Sequence, residues 1–174
     1  MPLLPLLPPG PPAPAPMRLL GEAVDWLIVA IGAVMILLVF CNVIFHVTGS
    51  DIAWTTELCE FLMVWVTFLG GAAASRRGLH MTITEFLDKL GPGGRRAADG
   101  AIQSLCLAVL GLLSWYGMGI VNATWGSELT VLHFPMALQY LALPVGAGVM
   151  ALFVAWDIVQ ILRGRTRAER YGID

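Results

Sequence analysis

Residues 57–77 read ELCEFLMVWVTFLGGAAASRR, and the fold turns on how this stretch is read. Between Glu60 and Arg76 lie 15 uncharged residues, 61–75, about 22 Å of α-helix at ~1.5 Å per residue. A hydrocarbon core is about 30 Å thick and asks for roughly 20 mostly apolar residues. The run therefore crosses only if it takes in Glu60 and comes close to Glu57. That sets two carboxylates at one membrane boundary and two arginines, Arg76 and Arg77, at the other.

Outward from this stretch, residues 26–45, 100–127 and 134–156 also lack Asp, Glu, Lys and Arg. Each is long enough to span alone. Hydrophobic residues make up 57% of the 174-residue chain and charged residues 13%, against about 45–50% and ~25% in soluble domains. A water-soluble globule is excluded. The reading is an all-α membrane protein with four transmembrane helices, at about 26–47, 54–75, 100–121 and 137–162.

The ten Lys and Arg residues orient it. Arg18 precedes the first span, Arg76, Arg77, Lys89, Arg95 and Arg96 separate the second from the third, and four arginines follow the fourth. The connections at 46–53 and 122–133 carry no Lys or Arg. Excess basic charge marks cytoplasmic loops, so both termini and the middle loop are predicted cytoplasmic. The formal net charge of −2 says nothing further. The terminal arginines suit phospholipid headgroups in the bilayer, and nothing points to nucleic acid.

Within the middle loop, Leu79, Ile83, Phe86, Leu87 and Leu90 lie opposite His80, Thr84, Glu85, Asp88 and Lys89. This predicts an amphipathic interfacial helix over 79–90, stopped by Gly91-Pro92-Gly93-Gly94. Residues 1–16 hold eight of the eleven prolines, read as a disordered tail because proline interrupts helices. Ordinary sequence starts at Met17, read as the native start. The organisation is a 1–16 tail, a 17–165 four-span domain and a 166–174 cytoplasmic tail.

Glu57 and Glu60 share a helix face, which continues through Val64, Thr67, Gly71 and Ala74. Small residues let helices approach closely, so this stripe is read as a protein-contact face. Leu58, Leu62, Trp65, Val66 and Leu69, on the other side, suit lipid or looser packing. Whether the two carboxylates are hydrated or paired is left open by spacing. The third span repeats the small-residue device at Gly100, Ser104, Ala108, Gly111 and Ser114. Asn42, in the first span, is read as an interhelical hydrogen-bonding amide. Pro144 removes a backbone bond from the fourth span. Trp26, Trp54, Trp125 and Trp156 fall at span ends as interfacial anchors, while Trp65 and Trp115 are predicted to pack between helices.

Chemistry is sparse. There is no phosphate-binding loop, nucleophile–His–acid motif or metal-ligand spacing, so the chain is read as no enzyme and as carrying no cofactor. His46 and His133 near two span ends raise a bis-His haem as a minor alternative. Cys41, Cys59 and Cys106 form no CxxC pair.

The segments Trp54-x-x-Glu57, Phe61–Gly70 (FLMVWVTFLG), Arg76–Met81 (RRGLHM) and Phe134–Gly146 (FPMALQYLALPVG) occur in an order that resembles the small permease (DctQ-type) subunit of tripartite ATP-independent periplasmic, or TRAP, transporters. The similarity covers about residues 17–165. The proline-rich tail and Thr84, where the family would bear an acidic residue, depart from it. The resemblance implies a non-catalytic scaffold in the bacterial inner membrane. Its partners would be a large multi-span permease, which holds the substrate and sodium sites, and a periplasmic substrate-binding protein. The transported solute would be an organic acid.

On that reading Glu57, Glu60, Val64, Thr67, Gly71, Ala74 and Gly111 would face the large permease. Asp51, Glu57 and Glu128 would lie on the docking side of the binding protein, and Arg76, Arg77, His80, Trp54 and Trp125 would anchor at the interface. A standalone multidrug-type exporter fits less well, because such exporters are shorter and carry their acidic residue in the first span. If the Glu57–Ala74 stripe is the contact face, Glu60→Leu lowers recovery of the large subunit in pull-downs more than Asp51→Ala. Equal recovery would remove the assignment.

Overall fold

A computed structural model describes residues 14–50, 52–78, 91–165 and 170–171. The expected interfacial helix at 79–90, with His80, and Asp51 lie outside them. Among the described residues the fold is helical: α1 (Ala15–Val47), α2 (Ala53–Arg76), α3 (Pro92–Ala123), the short α4 (Ala137–Tyr140) and α5 (Ala142–Leu162). Four helical segments are long and apolar enough to cross a membrane, the last formed by α4 and α5 together.

Two boundaries differ from expectation for one reason. α1 begins 11 residues before the predicted span, and α3 begins at Pro92 inside the predicted stop. Each has a proline in its first turn, where the missing N–H would have had no helical partner and the fixed φ already suits a helix. The proline and glycine signals that read as breaks are thus starts. α1 reaches about 50 Å at its 33 residues, well beyond a hydrocarbon core of about 30 Å.

The helix ends are defined by glycine. After α1, Gly49 (φ 77°) lets Ser50 N–H reach the Phe45 carbonyl and Gly49 N–H reach His46. After α5, Gly164 (φ 86°) does the same, with Arg165 N–H on Gln160 and Gly164 N–H on Ile161. Both are paired 6→1 and 5→2 closures that a left-handed residue permits and that satisfy otherwise orphaned carbonyls.

The helices do not close into a bundle. α1 packs on α2, α2 on α5, and α5 on α3, which gives a row in the order α1–α2–α5–α3. α5 is central and carries the most buried positions, including Ala142, Ala147, Phe153 and Val154. The most apolar stretch of α1, an edge helix, has no buried residue. Because α2 lies between α1 and α5, both its flanks are covered. Leu69, expected to face lipid or looser packing, joins Val24 and Ala73 in the α1–α2 core, with Trp65 packed against it. Trp115, expected between helices, is 79% exposed, since α3 has a neighbour on one side only.

Helices in lipid gain little from hydrophobic burial against one another, so association depends on close van der Waals fit. The close approaches come from glycines other than those of the α3 stripe. A Cβ on Gly146 of α5 would lie 2.5 Å from Phe68 Cβ of α2, and one on Gly71 would lie 2.8 Å from Met150 Cε. Across the other seam, a Cβ on Gly117 of α3 would lie 3.1 Å from the Pro144 ring. Pro144 is thereby a packing element, and its carbonyl accepts a hydrogen bond from the Ser114 hydroxyl at 3.3 Å. Ser104, Ala108 and Gly111 sit on the exposed side of α3.

Gly146→Ala should therefore destabilise the chain by about 1–3 kcal/mol, the usual cost of overpacking. Gly148→Ala, which meets nothing within 4 Å, should stay within about 0.5 kcal/mol. Thermal unfolding of the two variants in one detergent measures the difference.

Candidate functional site

Polar groups excluded from hydrocarbon collect at the two ends of the row. At one end, the connection from α3 to α4 folds as a narrow hairpin. Leu129 N–H bonds the Phe134 carbonyl and Met136 N–H bonds the Ser127 carbonyl, both at 2.8 Å, with Glu128 opposite Pro135. His133 adopts φ 51°, a left-handed turn residue that reverses the chain.

The tip of this hairpin turns three consecutive N–H groups inward, and Glu57 accepts all three. Thr130 donates to Oε1 at 2.7 Å, while Val131 and Leu132 donate to Oε2 at 2.9 and 2.6 Å. Successive amides converging on an anion form a nest, here filled by a side chain near the N-terminal end of α2. Glu57 is thus held within the chain, where the sequence reading had assigned it to both the permease face and the docking side. Glu60 stays exposed. Glu128 is also exposed, with His133 Nδ1 at 3.9 Å. Trp54 and Trp125 are exposed at this end, where interfacial aromatic residues belong.

The rest of the α2 stripe has mixed surroundings within the chain. Thr67 is exposed and bonds its hydroxyl to the Met63 carbonyl. Gly71 meets α5. Val64 and Ala74 are half-buried. Asn42 Oδ1 is buried without a partner among the described residues.

At the opposite end two ion clusters tie the helices together. Asp25 of α1 pairs with Arg76 at 2.5 Å and with Arg77 at 2.9 Å. Gly21, one turn before Asp25, leaves the space that the Arg76 guanidinium fills. The two arginines, read as interfacial anchors, are mostly buried inside the chain. The second cluster centres on Arg170, whose side chain is 4% exposed and which donates to Asp157 at 2.5 Å and Asp99 at 2.9 Å. Gln103 donates to the same Asp157 oxygen at 2.6 Å. A residue assigned to the C-terminal tail thereby bridges α3 and α5. Tyr171 lies against Gly78, where a Cβ would meet its ring at 2.8 Å.

Sequence reading missed Asp25, Asp99, Gln103, Asp157 and Arg170. A signal was present: Asp25 and Asp157 stand at the charged margins of two spans, at the end where nearly all the basic residues gather. Among the described residues no group of three or more His, Cys, Asp or Glu is placed to hold a metal. The three cysteines are free.

The four-span row, with its charges confined to the ends, matches a known family. The model of the DctQ component of tripartite ATP-independent periplasmic transporters aligns with residues 35–164. The chain belongs to the DctQ family. Its relatives are transporter components and not enzymes. The ectoine TRAP transporter small permease protein TeaB of Halomonas elongata is 31% identical over 112 residues, 62% of this chain and 58% of TeaB. The C4-dicarboxylate TRAP transporter small permease protein DctQ of Rhodobacter capsulatus is 32% identical over 108 residues, 59% of this chain and 46% of that protein. The isethionate TRAP transporter permease protein DctMQ of Oleidesulfovibrio alaskensis is 23% identical over 127 residues, 71% of this chain but 20% of that protein. The chain spans about half the length of the small permease relatives it matches. This DctQ-family chain is a multi-pass protein of the bacterial inner membrane.

Replacing Glu57 by Ala leaves three convergent N–H groups without their acceptor. Hydrogen exchange at residues 130–132 should accelerate about tenfold or more, whereas Glu60→Ala should leave these amides unchanged. Equal exchange in both variants would show that the hairpin holds its shape without Glu57.

Proposed function

We propose that this chain is the small transmembrane scaffold subunit of a TRAP transporter, paired with a large permease that carries the solute. The observation that carries this reading is the open row α1–α2–α5–α3, with charged side chains only at its ends. Intramembrane ionisable groups mark substrate and ion pathways in transporters, and the stretches 26–45, 61–75, 100–127 and 134–156 contain no Asp, Glu, Lys or Arg. A charged solute crossing through this chain alone would have no partner in the hydrocarbon. The scaffold role follows from the same geometry: a flat row with two uncovered faces can widen a neighbouring membrane protein.

Support for a large partner also comes from the much longer DctMQ permease, in which the region similar to this chain is only 20% of the length. The relatives bear the names of ectoine, C4-dicarboxylate and isethionate transporters. That three solutes go with sequences similar to this chain supports recognition lying in the partners. We assign this system an organic acid, delivered by a periplasmic binding protein and driven by sodium held in the large permease. The arginine-rich end faces the cytoplasm by the positive-inside bias, which puts both termini there and the Glu57 hairpin on the periplasmic side.

Purification of the tagged chain from its native membrane without crosslinker is expected to bring down one large multi-span permease. Deletion of the chain is expected to abolish sodium-dependent uptake of the cognate organic acid. Recovery of the chain without such a permease would overturn the proposal.

A further inference from the structure

The row order leaves a groove where α3 stands off from α2. It is a cleft of about 610 Å³ running along α3 and α5 from the basic end. Its floor and walls are apolar, with Leu105, Val109, Leu110, Met150 and Val154 among them. Its mouth is polar, bounded by Asp99, Gln103, Arg170 and Tyr171. From Asp99 to Leu110 the groove follows about 16 Å of helix, close to half of a hydrocarbon core of about 30 Å.

We infer that this cleft holds one phospholipid of the adjoining leaflet, with an acyl chain along α3 and α5 and an ammonium-bearing headgroup at Asp99 and Arg170. Three observations select this occupant. An apolar groove at membrane depth gives water too few hydrogen-bonding partners to fill it, and left empty it forfeits the contacts of its lining. Its length is that of one leaflet and ends near mid-membrane, where a partner transmembrane helix would continue. Its mouth also carries an uneven charge: among the described residues, Asp99 and Asp157 both pair with Arg170, two carboxylates to one guanidinium. A headgroup amine can sit against the second carboxylate, whereas a headgroup with only a phosphate adds to the negative charge. The C-terminal residues Arg170 and Tyr171 close the polar end. The site requires only the helix row in a bilayer and stands independently of the transport reading.

Native mass spectrometry of the full-length chain, purified from its membrane in mild detergent, tests the assignment. We expect one retained lipid per chain with the mass of a phosphatidylethanolamine. Returned to delipidated protein, phosphatidylethanolamine should bind about tenfold more tightly than phosphatidylglycerol, about 1.4 kcal/mol. Cys106 lines the cleft and is exposed, so Cys106→Trp should fill the groove and lower retention about tenfold without loss of thermal stability. Asp99→Asn should erase the headgroup preference while leaving acyl-chain retention in place. No retained lipid in the wild-type chain, retention equal in Cys106→Trp, or equal affinity for the two headgroups would overturn it. Crosslinking of Cys106 to a protein partner along the length of the cleft would overturn it as well.

Discussion

The structure depends on how closely α5 approaches its two neighbours. On one side the bare Gly146 backbone lies against Phe68 of α2, and on the other the Pro144 ring lies against Gly117 of α3. Lipid tails are as apolar as leucine, so helices in a membrane gain little by hiding greasy side chains from one another. What holds them is fit. α5 supplies that fit in both directions, and α1 and α3 occupy the edges because nothing comparable covers their far sides. The row, its exposed faces and the cleft beside α3 follow from this arrangement.

The two polar ends then lock a row that packing alone would leave free to slide. Asp25 ties α1 to the end of α2 through Arg76 and Arg77. Arg170 ties α3 to α5 through Asp99 and Asp157. At the other end Glu57 holds the α3–α4 hairpin by three backbone amides. Each link joins elements far apart in sequence, and each puts a charge where hydrocarbon would otherwise exclude it. Breaking one partner of a buried pair strands the other, which costs far more than the pair contributes. These links therefore specify the order of the helices more than they add to stability.

Much was legible in advance. The shortage of uncharged residues in 61–75 drew Glu57 toward the membrane boundary, and the structure adds that it holds the α3–α4 hairpin. Its three partners, 73–75 residues further along, left no local trace, because a backbone amide looks the same in every sequence. Arg76 and Arg77 read equally well as topology signals or headgroup anchors until Asp25 was seen between them. Trp115 was misread, and Leu69 left between lipid and packing, because a helical face shows its residues but not its neighbour. Within the chain the close contacts are made by Gly117 and Gly146, which the small-residue stripe of α3 did not include.

By itself the sequence determined that this is a membrane protein of four spans, how its basic charge is distributed, and the family resemblance that the DctQ match bears out. These are properties of chain-local hydrophobicity and of motif order, and both are written along one dimension. Only the tertiary structure decided that the spans form an open row, that α5 is its centre, and which charges meet. The physical reason is that span existence depends on transfer of each segment into hydrocarbon, one segment at a time. Helix order depends on contacts of a few ångströms between segments, through side chains whose partners are chosen only when the helices meet.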